Sequence, residues 1–296
     1  RHEVGDVVFD GTTYHMFLPG GQTFFVWDSP WHVGHWTWNA LTQDWDEDDS
    51  NPVLSPEPGQ WDGWTVYDVA VLYEGGVFRM WYGATASFPG SIRAGYAESL
   101  DGSVWEKYEF NPLTGLEPGA PGDWDDFGVC PNVVLYDGVE YRMWFSAVKE
   151  GGPDYGTWRI GTATSPDGIT WTKHPEPVLV GSLPWEDNLL YFPEVISFGG
   201  GYAMWYNGVV FGLESYIGYA VSADGIHWGR WPSNPVLSPL PGDIVVEALN
   251  VIVEGGTLHG WVNTDNDVWY VTSRLEVVFF DAFETGDCAI WSAVVP

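Results

Sequence analysis

An all-β fold of five four-stranded antiparallel blades closed into a ring is what this sequence predicts, and three observations carry the prediction. A phrase ending in Trp returns along the chain: AGYAESLDGSVW at 94–105, IGTATSPDGITW at 160–171 and IGYAVSADGIHW at 217–228, with a degraded form, VGHWTWNALTQDW, at 33–45. An aromatic phrase stands upstream of each and once more near the end: YHMFLPG at 14–20, FRMWYGA at 78–84, YRMWFSA at 141–147, YAMWYNG at 202–208 and LHGWVNT at 258–264. Five short apolar runs open the units. Self-similarity at a period of about 60 residues marks an array of one supersecondary unit, repeated because each copy cannot bury its apolar face alone.

The opening runs are GDVVFDG at 5–11, VAVLYEGG at 69–76, PNVVLYDG at 131–138, PEVISFGG at 193–200 and LNVIVEGG at 249–256. A glycine turn leads from each into the aromatic strand. The third strand is the IG-x-A-x-S phrase, and a D-G turn then leads to a fourth ending in Trp105, Trp171 or Trp228. Asp-Gly between strand-like runs is a strong hairpin signal, because both central residues of a type I′ turn need positive φ. Four antiparallel strands make one propeller blade. NPVL (51–54), NPLT (111–114), EPVL (176–179) and NPVL (234–237) link the blades, with proline suited to a sheet edge where no ladder donor is needed. Trp61-Asp62, Trp124-Asp125 and Trp185-Glu186 follow three of these links and read as blade-to-blade contacts. The fifth unit stops after WYVTS at 269–273, so EVVFF at 276–280 or the N-terminus is expected to supply its outer strand. The propeller is set at 1–275, with a C-terminal strand and tail at 276–296.

Composition narrows the function. The chain has 296 residues, 45% hydrophobic, with 37 Gly and 21 Pro, as many short strands joined by tight turns require. No apolar run approaches the roughly 18 residues that span a bilayer, so neither membrane insertion nor a membrane partner is expected. Ten Lys and Arg against 41 Asp and Glu give a net charge of −31, which repels nucleic acid and leaves neutral ligands and cations as partners. Two cysteines, Cys130 and Cys288, form neither a disulfide framework nor a zinc spacing. Arg1 is not a natural start, so a processed or truncated product is expected. Twenty Trp with little Lys suit an extracellular, carbohydrate-handling protein.

Equivalent positions on the opening strands converge on the central channel of a propeller. Aligned by their glycine turns, these strands put Asp6, Ala70, Asn132, Glu194 and Asn250 at one level; two residues earlier, on the same face, stand Val4, Asp68, Cys130, Phe192 and Ala248. The channel is thus expected to gather Asp6, Asp68 and Glu194.

The repeated IG-x-A-x-S-x-D-G-x-x-W, the P-x-V openings and the worn GHA-x-S-x-DL-x-x-W phrase at 33–45 make residues 2–273 resemble the arabinanase, levansucrase and invertase superfamily of five-bladed glycoside hydrolases. The resemblance implies Asp6 as base or nucleophile, Asn132 at the supporting position and Glu194 as general acid; 126 residues separate the first two and 62 the next. Glycosidic cleavage needs one carboxyl group protonated and one ionised, with pKa values pushed apart, at about 5–5.5 Å for retention or about 6.5–9.5 Å for inversion. Asn132 cannot raise the acid by charge; Asp68 can, and Asn250 completes the supporting set. The terminal DAFETGD…IWSAVVP resembles a DGFESGD…WS tail found at the ends of secreted bacterial proteins.

A second register aligns His15, Arg79, Arg142 and His259 on the aromatic strands, either as a positive ring answering the carboxylates or as interblade ion pairs. On the first reading Arg79 and Arg142 bind substrate. Trp27, Trp31, Trp36 and Trp38 crowd the first unit with His32 and His35, and Trp36 is a candidate sugar platform beside the plain alternative of interblade packing. The acidic runs 44–49 and 123–126 are candidate calcium ligands without the EF-hand pattern; solvated loops are the simpler reading, and no metal or other cofactor is expected. Three functions stay open: a hydrolase cleaving a glycan or oligosaccharide, a non-catalytic glycan binder, and an assembly protein that self-associates through its tail.

Overall fold

The structure, a computed structural model, describes residues 5–21, 30–150, 156–187, 189–210, 214–239, 246–264, 268–274 and 292–293. Blade one is β1 (Asp6–Phe9), β2 (Tyr14–Gly20), β3 (His32–Asn39) and β4 (Asp44–Glu47). Blade two is β5 (Thr65–Glu74), β6 (Val77–Thr85), β7 (Arg93–Ser99) and β8 (Trp105–Lys107). Blade three is β9 (Gly128–Tyr136), β10 (Tyr141–Lys149), β11 (Thr157–Ser165) and β12 (Thr172–Lys173). Blade four is β13 (Leu190–Phe198), β14 (Gly201–Val209), β15 (Ser215–Ser222) and β16 (Trp228–Arg230). Blade five is β17 (Val246–Glu254), β18 (Thr257–Thr264), β19 (Val268–Arg274) and β20 (Ser292–Ala293). Each blade is one antiparallel sheet in chain order. The first strands touch in sequence, β1 to β5 to β9 to β13 to β17 and back to β1, so the expected five-bladed ring closes.

The core lies between blades. Trp81 and Tyr96 of blade two pack with Val134, Met143 and Trp171 of blade three in one buried cluster. The fully buried Trp81 and Trp144 donate their indole N–H to Gly168 O at 2.7 Å and Gly225 O at 3.0 Å, each on the D-G loop of the next blade. A Cβ at Gly225 would lie 2.9 Å from the Trp144 ring, so the repeated glycine is what lets the indole reach the loop backbone. The D-G expectation needs correcting here. Ser99 pairs with Trp105 across a five-residue connection rather than a two-residue type I′ turn. Only the glycine has positive φ, and Asp101 Oδ1 instead accepts the N–H groups of Ser103 and Val104.

Linker residues are pinned to their blades by side chains. Asn51, Asn111 and Asn234 accept the backbone N–H of His35, Tyr96 and Tyr219. The buried acids of the Trp-acid pairs each meet a cation on an outer strand: Asp62 with Lys107 at 2.6 Å, Asp125 with Lys173, and Glu186 with Arg230 at 2.7 Å. In blade five the outer strand is Ser292–Ala293, paired with Thr272 and Val271. It comes from the tail; EVVFF and the rest of 275–291 lie outside the described residues.

Candidate functional site

The inner strands are tied to one another around the pore, and the residues that tie them are those singled out above. Asp6 Oδ2 accepts the N–H of Val71 in blade two at 2.6 Å. Asp68 accepts a hydrogen bond from the Cys130 thiol of blade three. Asn132 Oδ1 accepts from Ser146 N and Oγ at 2.7 and 2.6 Å, and Ser146 Oγ in turn accepts the N–H of Phe192 in blade four at 3.0 Å. Glu194 Oε1 accepts the N–H of Val251 in blade five at 3.0 Å, and Asn250 Nδ2 donates to Gly5 O of blade one at 2.8 Å. Every seam at the pore therefore carries one side-chain tie. Ser146, near the end of the aromatic phrase YRMWFSA, is a member that sequence reasoning passed over.

One register needs correcting. Trp81, Trp205 and Trp261 oppose Ala70, Glu194 and Asn250, but Trp144 opposes Val133. Blade three reaches its glycine turn one residue later, and Asn132 becomes the extra residue of a β-bulge. Its carboxamide is turned onto Ser146 as a substitute ladder acceptor. Bulges in the same region of β5 and β13 place Asp68 at φ 45° and Phe192 at φ 51°, a left-handed backbone that side chains other than glycine adopt at a cost of about 1–3 kcal/mol. Bulges of this kind re-aim side chains beside functional sites.

The electrostatics join Asp6 to Glu194. Burial pushes Asp6 up to about 7, against the backbone N–H groups of Val71 and Val7 that favour its ionised form. Glu194 is raised well above the ordinary carboxylate range, first by burial and then by the negative charge of Asp6, with only the Val251 N–H opposing. Two carboxyl groups that repel while buried cannot both ionise readily, and the one with fewer donors keeps the proton. Asp6 has two such donors and Glu194 one, so of the two Glu194 is pushed the harder toward holding a proton. Burial lifts Asp68 to about 7 as well, and its Oδ1 is buried with no hydrogen-bond partner, as is Asn250 Oδ1.

Among solved structures, the RGII complex of BT0996 superposes with a TM-score of 0.75 at 18% identity over 93% of this protein and 87% of that one. The Bombyx mori GH32 beta-fructofuranosidase BmSUC1 does so with a TM-score of 0.66 at 16% identity over 92% and 62%. This is the fold of the five-bladed propeller glycoside hydrolases. By sequence, the propeller is 28% identical over 229 residues to an uncharacterised Mycobacterium tuberculosis protein, covering 70% of each chain. It is 29% identical over 253 residues to a 1,2-beta-oligomannan phosphorylase of Thermoanaerobacter sp. (strain X514), covering 78% of this chain and 74% of that one. No family model matches.

The remaining candidates of this propeller do not join the pair. Of the two readings of the His15, Arg79, Arg142 and His259 register, the structure shows local contacts rather than a positive ring. Arg79 meets Glu74 at 3.0 Å, Arg142 donates to Asp224 O at 2.5 Å, His15 contacts Asp10 and His35, and His259 contacts Tyr270. Burial and backbone donors shape Asp6, and burial, the charge of Asp6 and one backbone donor shape Glu194; the cations sit beside partners nearer to hand. Trp36 is half-buried with its ring against Gly34, and Trp31 is wholly buried. Trp27 and Val4 lie outside the described residues. Asp48, Asp125 and Asp126 of the acidic runs are engaged by His35, Lys173 and the N–H groups of Gly122 and Glu150. Among the described residues no three His, Cys, Asp or Glu side chains gather closely enough to hold a metal ion. Among them, too, no helix is long and apolar enough to cross a membrane.

Proposed function

We propose that the protein cleaves glycosidic bonds of an oligosaccharide at the axial pore, with Glu194 as acid and Asp6 as base or nucleophile. The observation that carries this reading is two carboxyls on the innermost strands of blades one and four, both raised by burial, with the charge of Asp6 raising Glu194 further. Glu194 gives its proton to the glycosidic oxygen as the bond to the anomeric carbon breaks. Asp6 either takes a proton from the water that attacks that carbon or attacks it directly. Asp68 supports the pair as a third buried acid, and Asn250 holds the start of β1, which carries Asp6, through Gly5. An extracellular setting belongs to the proposal and rests on composition.

A second reading has phosphate rather than water as acceptor, and the 1,2-beta-oligomannan phosphorylase among the relatives favours it. Both are tested by incubating wild type and Glu194→Gln with an oligosaccharide library, with and without inorganic phosphate. Reducing sugar appearing without phosphate identifies hydrolysis, and sugar phosphate appearing only with it identifies phosphorolysis. Glu194→Gln should lower either rate by about 10²–10⁴-fold. Undiminished turnover in the variant removes the assignment. A wild type inert on the whole library leaves Asp6 and Glu194 as seam ties in a binding protein.

A further inference from the structure

Two neighbouring seams of the propeller are built from equivalent residues, and among the described residues a carboxylate bridges the first but not the second. Arg79 and Arg142 share one register position, opposite Leu72 and Leu135, and Tyr141 and Tyr202 share another, opposite Ser165 and Ser222. Between blades two and three, Glu74 Oε2 accepts from Arg79 Nη1 at 3.0 Å and from the Tyr141 hydroxyl of the next blade at 2.9 Å. Between blades three and four, Asp137 holds the place of Glu74. Its carboxyl is one methylene shorter, and Oδ1 accepts the N–H groups of Val139 and Glu140 in its own turn, at 2.8 and 2.9 Å. Glu98, the second acid beside Arg79 at 3.6 Å, is replaced by Thr164 in blade three.

At this second seam the chain leaves a cleft of about 620 Å³, lined by Arg142, Tyr202, Phe198, Asp224 and the glycine turn 199–201. That is within the roughly 300–1,000 Å³ of small-molecule sites. The Arg142 guanidinium is held by the Trp144 and Tyr202 rings, 6.0 and 5.7 Å from their centroids, and by Asp224 O. Among the described residues the Tyr202 hydroxyl has no hydrogen-bond partner. Of the acids at hand, half-buried Glu140 stands 3.6 Å from Arg142, and Asp224 is engaged by His227 and the N–H of Ile226. A guanidinium stays charged at all working pH values, and its remaining donors suit a carboxylate. The cleft sits at the hairpin end of β13, about 15 Å along the strand from Glu194, and is a site apart from the pore.

We propose that this cleft binds a sugar acid, whose carboxylate takes the bridging place between Arg142 and Tyr202 that Glu74 fills one seam earlier. The ligand enters against a net charge of −31, so calorimetric titration is run at about 0.15 M salt, where the Debye length is about 8 Å. Galacturonate and glucuronate are the probes, with galactose and glucose as their neutral counterparts. At least one acid should bind wild type and its neutral counterpart should not. Arg142→Gln should weaken that binding about tenfold or more, and Tyr202→Phe several-fold. Asp137→Glu restores the internal carboxylate of the first seam and should compete with the ligand, weakening it too. Binding of neither acid, equal binding of a neutral sugar, or affinity unchanged in both Arg142→Gln and Tyr202→Phe overturns the site. Since Arg142 also holds Asp224 O, Arg142→Gln alone could act through folding. Tyr202→Phe removes only an unpartnered hydroxyl, so it should keep the wild-type melting temperature, and a loss of affinity there reads the cleft itself.

Discussion

Asp68 is held where a carboxylate is hard to keep ionised, buried, one oxygen unpartnered and the other facing only a thiol. Its folded-state pKa of about 7 lies above the ordinary 3.8, so the folded chain binds its proton more tightly than the unfolded chain. That stability is fully present below about pH 4 and is lost as pH rises through 7, up to about 4 kcal/mol in all. Urea unfolding at pH 5 and pH 8 should therefore show wild type losing stability relative to Asp68→Asn at the higher pH. A difference independent of pH would show Asp68 to be ionised throughout. Asp6 and Glu194 were legible in the sequence because repeat alignment alone brings them to the pore. The weight of Asp68 was not, because its burial and left-handed backbone come from a bulge that strand periodicity does not reveal.

Between blades, stability is concentrated in a few repeated contacts. Gly225→Ala puts a methyl against the Trp144 ring at a φ of 76°, and a loss of about 1–3 kcal/mol is expected in thermal or urea melts. Lys107→Met leaves Asp62, 1% exposed, without its counter-charge, and should cost about 3–5 kcal/mol. A neutral result in either melt would mean that the loop or linker relaxes without strain. The strands themselves were readable because the repeated phrases fix both their number and their order. The D-G turn was misread because Asp-Gly signals a type I′ hairpin only where two residues join the strands, and here the glycine serves the neighbouring blade's tryptophan. The register of blade three slipped by one residue: the position five before its turn glycine, as in the other blades, is Val133, which opposes Trp144, and Asn132 is the bulge residue before it.

Taken as a whole, the ring concentrates negative charge, with 41 acids against 10 Lys and Arg, and places three carboxyls of raised pKa on its innermost strands. Screening that self-repulsion should raise the melting temperature at pH 8 as sodium chloride goes from low to moderate concentration, whereas salt-independent melting would show the surface charge to be locally balanced. The central claim is that Glu194 keeps its proton at the pore, held there first by burial and then by the negative charge of Asp6. Infrared titration of the protonated-carboxyl band in wild type and Glu194→Gln measures this without any substrate. The expected result is a carboxyl proton that outlasts the titration of Asp6 and Asp68 near pH 7 in wild type and is missing from the variant; loss of every carboxyl signal by about pH 5 in both proteins would contradict it.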